Sequence, residues 1–149
     1  MGQTGRFYRA VPRIDESFIA RGAEMTIEFF AESNVGTRAL PRSVATKVGG
    51  FVFVGGQVAR DDTGNLIAGG IEAQTRQTIS NVAQALALAG CTLEDVVKTM
   101  VWLDDARDFG ESNRVYSEFF PGNKPTRSTI QAKNMVGTKI EIEVIAYRP

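Results

Sequence analysis

The pattern of apolar residues predicts an α+β fold with the order β-β-β-α-β-α-β-β, in which two helices cover one face of a sheet. Three observations carry this. Two apolar runs bracket Gly49-Gly50, apolar residues recur at spacings of three and four from Ile71 to Ala89, and the last segment, Lys139 to Tyr147, alternates with period two. At 149 residues the chain is sized for one domain that buries roughly two-thirds of its unfolded surface.

Residues 1–24 follow neither period and read as an N-terminal extension, with the domain occupying 25–149. A short strand is predicted from Met25 to Ala31, followed by a polar stretch holding Asn34, Gly36 and Pro41. Strands from Ser43 to Val48 and from Phe51 to Val58 flank Gly49-Gly50, a two-residue hairpin turn of the kind that needs positive φ. The second of these strands is apolar on nearly every residue, which predicts cover on both faces. Asp61 to Asn65 forms a turn, and Gly69-Gly70 leads into a helix from Ile71 to Ala89. Its apolar stripe is Ile71, Thr75, Thr78, Ile79, Val82, Leu86 and Ala89, and Gly90 stops it. Val96 to Leu103 is β-rich and ends at Asp104-Asp105, and a second helix is predicted from about Arg107 to Phe120, stopped by Pro121-Gly122. Thr126 to Ala132 and Lys139 to Tyr147 complete the sheet.

Alternation then assigns faces. In the last strand Ile140, Ile142, Val144 and Ala146 oppose Lys139, Glu141, Glu143 and Tyr147; in the one before, Ser128, Ile130 and Ala132 oppose Arg127, Thr129, Gln131 and Lys133. One face packs the helices, and the other mixes ionisable groups with Met100, Trp102, Ile145 and Tyr147. A face so mixed is seldom simply solvated, and it predicts a second protein surface covering it, hence an oligomer.

Composition closes off several chemistries. The chain has no histidine, so it cannot build a Ser-His-Asp or Cys-His nucleophile, a histidine base or a histidine-ligated metal. Its single cysteine, Cys91, excludes an intrachain disulfide and a thiolate cluster, and reads as a small buried hydrophobe. Seventeen basic residues balance seventeen acidic ones, leaving no field for a nucleic-acid backbone, and there is no aromatic-basic stripe. No run approaches the roughly 20 apolar residues of a membrane span. The N-terminus has arginines, which leaves a transit peptide open, but no apolar stretch for a signal peptide; the cytoplasm is the default compartment. The glycine pairs lack phosphate-loop spacing. Asp104, Asp105 and Asp108 fit a strand end and a helix N-terminus better than a metal site, and Lys98 fits an exposed or paired lysine better than a Schiff base.

Seven segments now stand in a telling order: Gly55-Gly56-Gln57 with Asp61 to Gly64 after it, Gln74 to Val82, Ala89 to Thr99, Asn113 to Phe120, Pro125 to Ser128 and Ile140 to Ala146. In this order and spacing they resemble the RidA/YjgF family of enamine/imine deaminases, from about Pro41 to Tyr147. The resemblance implies a chorismate-mutase-like α+β fold assembled as a homotrimer with clefts between subunits. It implies hydrolysis of enamine/imine intermediates, 2-aminoacrylate-like species or larger 2-imino acids, to 2-oxo acids and ammonia, with no cofactor and no metal. A non-catalytic trimeric module that binds small carboxylates is the alternative within the same fold, and ribonuclease action, ascribed to some relatives, is disfavoured by the charge balance.

By the same resemblance Arg127 binds the substrate carboxylate, a role suited to its rigid fork of donors; an ion pair with Glu141 or Glu143 is the alternative. Glu141 matches the glutamate that positions the attacking water, with Glu143 a minor alternative because the preceding loop is a residue short. Thr129, two residues beyond Arg127, could hold substrate through its backbone, and Asn113 reads as a hydrogen bonder near the cleft. Gly55 and Gly56 line the cleft. Two positions depart from the family pattern: Gly55 stands where a serine is common, and Arg42 where a tyrosine is. Arg42 is therefore expected to hold a second anionic group of a larger substrate, against the alternative of an arginine in solvent or paired with an acid of the extension.

Overall fold

The computed structural model describes residues 26–31 and 41–149, so the expectations for residues 1–24, the proposed extension, lie outside the described residues. The chain forms β1 (Ile27–Phe30), β2 (Ala45–Val48), β3 (Phe51–Val58), α1 (Ile71–Leu88), β4 (Val96–Leu103), α2 (Phe109–Phe119), β5 (Thr126–Gln131) and β6 (Ile140–Tyr147). This is the predicted order. The second helix starts later than expected because Ala106–Asp108 forms a separate 3-10 turn, capped by the Asp105 side chain accepting from the Arg107 amide. No helix among the described residues is long and apolar enough to cross a membrane.

The six strands form one sheet in the order β1-β2-β3-β6-β4-β5. Every pairing is antiparallel except β4 with β5, which is parallel and is bridged by α2. Gly49, at φ +57°, turns the β2–β3 hairpin as the glycine pair predicts. Gly50 is required for a different reason: a Cβ there would stand 2.7 Å from the ring of Tyr147.

Both helices pack on one face. The α1 stripe buries Ile71, Thr75, Thr78, Ile79, Val82 and Leu86 against β3 and β6, as its spacing dictates. Opposite lie Val52, Val54, Val101, Leu103, Ile140, Ile142 and Val144, all nearly inaccessible. Truncating a core residue such as Leu86 to alanine in a core this closed costs about 2–5 kcal/mol. Polar pins then set the strand ends. Gln74 on α1 accepts from the Lys139 amide at 2.8 Å and from Thr138 Oγ1 at 3.1 Å, fixing the entry to β6. Asn81 donates to the carbonyls of Val58 and Arg60, fixing the exit from β3.

Nothing in the described chain covers the other face. Phe51 and Phe53, whose apolar strand predicted cover on both sides, are 45% and 41% exposed. With Ile27, Phe29, Ile130 and Tyr147, also exposed, they make this face broadly apolar. A single chain therefore satisfies half of the expectation, and the other half would take a second surface.

Candidate functional site

Alternation in β6 holds as predicted: Ile140, Ile142, Val144 and Ala146 are buried, and Glu141, Glu143, Ile145 and Tyr147 look out from the open face. In β5 the face assignment reverses. Arg127 is in register with Thr99, and Thr99 with Val144, so all three lie on the helix side. Glu141 is in register with Trp102, and Trp102 with Ile130, on the open side. Arg127 and Thr129 thus point away from Glu141, and neither glutamate pairs with Arg127. The physical reason is the parallel β4–β5 register, which single-strand alternation cannot supply, and the edge position of β5, which leaves ionisable groups room to face the helices.

Arg127 is held firmly where it lies. Its guanidinium carbon stands 4.6 Å from the centroid of the Tyr116 ring, and Nη2 donates to Asn113 Oδ1 at 2.6 Å. The Tyr116 hydroxyl shares a buried 3.0 Å hydrogen bond with Thr99 Oγ1. Burial raises the Tyr116 pKa, against the Thr99 hydrogen bond and the Arg127 charge, so the phenol stays neutral and the ring acts as a platform. Tyr116 and Thr99 buttress Arg127, and the sequence reading gave neither of them a place at the site. The signal present was a threonine at a core-facing position of β4, where a buried hydroxyl needs a partner.

The second cluster sits where β3 bulges. Between Val54 and Gln57 the register against β6 slips by a residue, leaving Gly55-Gly56 opposite Glu143. Buried Gln57 closes the bulge by donating to the Gly55 carbonyl at 2.8 Å. Glu141 lies across Gly56: a Cβ there would overlap Oε1 of Glu141 and stand 2.9 Å from its Cδ. This contact selects Glu141 over Glu143 as the glutamate seated on the bulge. Arg42 comes from the other side, with Nη1 3.5 Å from the position of a Gly55 Cβ. Desolvation raises the Glu141 pKa above its ordinary 4.5, the Arg42 charge opposes that, and Glu143 adds to it.

The seven residues singled out in the sequence therefore fall into two groups. Arg127 meets Asn113 between β5 and α2, with Thr129 two residues on along the same face, while Glu141, Gly55, Gly56 and Arg42 surround the bulge on the open face. From strand geometry the Cα atoms of Arg127 and Glu141 are roughly 14 Å apart, on opposite sides of the sheet.

Other candidates resolve as structure. Asp104 receives Lys133 and the Asn134 amide, and Lys139 reaches Asp108. The Arg107 guanidinium holds Asp105 down at about 2. Among the described residues no three His, Cys, Asp or Glu side chains are grouped to hold a metal ion. Cys91 is buried and its thiol pKa is pushed up by desolvation, and Lys98 is exposed.

Comparison with known proteins places this geometry. Residues 37–148 match the family model described as Endoribonuclease L-PSP. A RutC family protein of Pyrococcus abyssi is 44% identical over 110 residues, covering 72% of this chain and 87% of that one. The 2-iminobutanoate/2-iminopropanoate deaminase of Mus musculus is 38% identical over 110 residues, covering 72% and 82%. Among solved structures, E. coli TdcF with bound serine superposes at a TM-score of 0.73 and 31% identity, covering 82% of this chain and all of that one. The chain belongs to the RidA/YjgF family.

Proposed function

We propose that the protein is a cofactor-independent, cytoplasmic deaminase that hydrolyses 2-imino acids and their enamine tautomers to 2-oxo acids and ammonia. The carrying observation is the pairing of chemistries: a guanidinium immobilised at a sheet edge, and a half-buried glutamate whose pKa is raised. Similarity to relatives named as imine deaminases supports the reading.

The two groups act on one substrate only if a second copy supplies one of them, since within one chain they occupy opposite faces. The exposed apolar face gives that copy a place to dock. We infer a closed head-to-tail ring, three copies by family resemblance, in which Arg127 of one copy meets Glu141 of the next.

In such a cleft Arg127 and the Thr129 backbone hold the substrate carboxylate, and the imine nitrogen carries a proton. Glu141 takes a proton from water as the water oxygen bonds to the imine carbon, and the C=N π electrons move to nitrogen. The carboxyl group returns that proton to the amine. The hydroxyl proton then passes to Glu141 as the carbonyl forms, the C–N bond breaks and ammonia leaves. A carboxylate whose pKa is raised is a stronger base, and its conjugate acid can return the proton, which suits both transfers.

Imines generated in situ from amino acids by an amino-acid oxidase, with ammonia or semicarbazone readout, test the activity. Wild type is expected to exceed the spontaneous rate and Arg127→Ala to fall back to it. Full activity in Arg127→Ala would remove the mechanism. Tight 2-oxo acid binding without acceleration would identify a binding module instead.

A further inference from the structure

A groove lies one step along β5 and α2 from Arg127. Leu103, Ala106, Phe109, Thr129, Ile130 and Gln131 line this groove of about 280 Å³ at the C-terminal end of β5 and the N-terminal end of α2. Two independent spacings join this groove to the arginine. Thr129 follows Arg127 by two residues on the same face of β5, and Phe109 precedes Asn113 by four on α2, one turn away. Both steps measure roughly 6–7 Å, so the wall that anchors Arg127 and the wall of the groove are the same two elements in the same register. Arg127 and Asn113 stand just beyond its near end, outside the lining itself. The other end is lined by Leu103, Ala106 and Phe109 with Gln131 at its rim; Phe109 is 47% exposed, and none of the lining residues is charged.

We propose that this groove is the side-chain subsite of the imine site, and that the substrates are 2-imino acids with uncharged apolar side chains of branched-chain size or larger. The inference rests on the deaminase reading. A carboxylate on Arg127 and a backbone contact at Thr129 orient the α-carbon along β5, and the next atoms of the substrate then lie over the groove. An alanine-derived imine would leave it empty. Ala106 sets its depth: it is exposed, sits in the 3-10 turn before α2, and has no larger side chain to close that end.

The test compares kcat/KM for imines derived from alanine, leucine and aspartate, in wild type and Ala106→Trp. The leucine-derived imine is expected to exceed the alanine-derived one by about tenfold or more, a factor in the range that extra methylenes contribute in an apolar pocket. Ala106→Trp should lower that ratio about tenfold. Binding of 4-methyl-2-oxopentanoate against pyruvate, followed by NMR titration, reads the same preference whether or not turnover occurs. It therefore separates failure of the groove from failure of the deaminase reading. An aspartate preference would overturn the proposal and assign the substrate side chain to Arg42. Equal affinity for both 2-oxo acids, unaffected by Ala106→Trp, would overturn it as well.

Discussion

On the β5–α2 side, Arg127 is held by contacts it makes, an aromatic ring beneath it and an amide oxygen beside it. On the β3–β6 side, Glu141 is held by an atom its neighbour lacks, since Gly56 gives the carboxylate the space a Cβ would fill. The first arrangement fixes a charge that is always present and needs only direction. The second admits a group whose charge must come and go, and partial burial sets where on the pH scale it does so. In the proposed reaction, binding and proton transfer therefore rest on different physics in different parts of one sheet.

This contrast predicts different responses to substitution. Glu141→Gln keeps the shape and removes the base, and should lower kcat by roughly 10²–10⁴-fold with little change in KM. Gly56→Ala leaves Glu141 chemically intact but displaces it; a loss of roughly 10²-fold is expected from misplacement alone. A Gly56→Ala enzyme with normal kcat would break the claim that Glu141 is positioned by exclusion. On the other side the effects should fall in KM. Tyr116→Leu removes the platform and should raise KM roughly three- to thirtyfold with kcat nearly held, whereas Tyr116→Phe keeps the ring and should stay near wild type. Equal losses in both variants, tracking a drop in Tm, would reduce Tyr116 to a packing residue.

The smallest effect is the pH profile. Because Glu141 must be ionised to take a proton and its pKa is raised, kcat/KM should rise with pH along an acid limb lying above 4.5. Arg42→Gln removes the charge that opposes the shift and should move the limb up. Glu143→Gln removes the repulsion that adds to it and should move the limb down. The stability linkage has the matching sign: a carboxyl with a raised folded-state pKa favours folding below its unfolded value and loses that contribution as pH rises through the folded one.

Most of the fold was legible because it rests on local period. The α1 stripe, the Gly49-Gly50 turn and the IEIE alternation each declare themselves within a few residues, and each stands as read. What escaped is what register decides. Thr126–Gln131 offers almost no apolar contrast, with Ile130 its one large apolar residue, so its faces follow from pairing with β4 rather than from its own sequence. Tyr116 lies inside a predicted helix, and only folding shows its ring beneath a guanidinium and its hydroxyl on Thr99. The candidate residues were individually visible, but their division between two faces was not, because it is a property of four strands together.

The most direct test of a site shared between copies is complementation. Arg127→Ala and Glu141→Gln proteins, each inactive alone, are unfolded, mixed in equal amounts and refolded together. If Arg127 of one copy works with Glu141 of its neighbour, about a quarter of the sites are intact and activity should return to about that fraction of wild type. A mixture that remains as inactive as its two components would contradict the shared site.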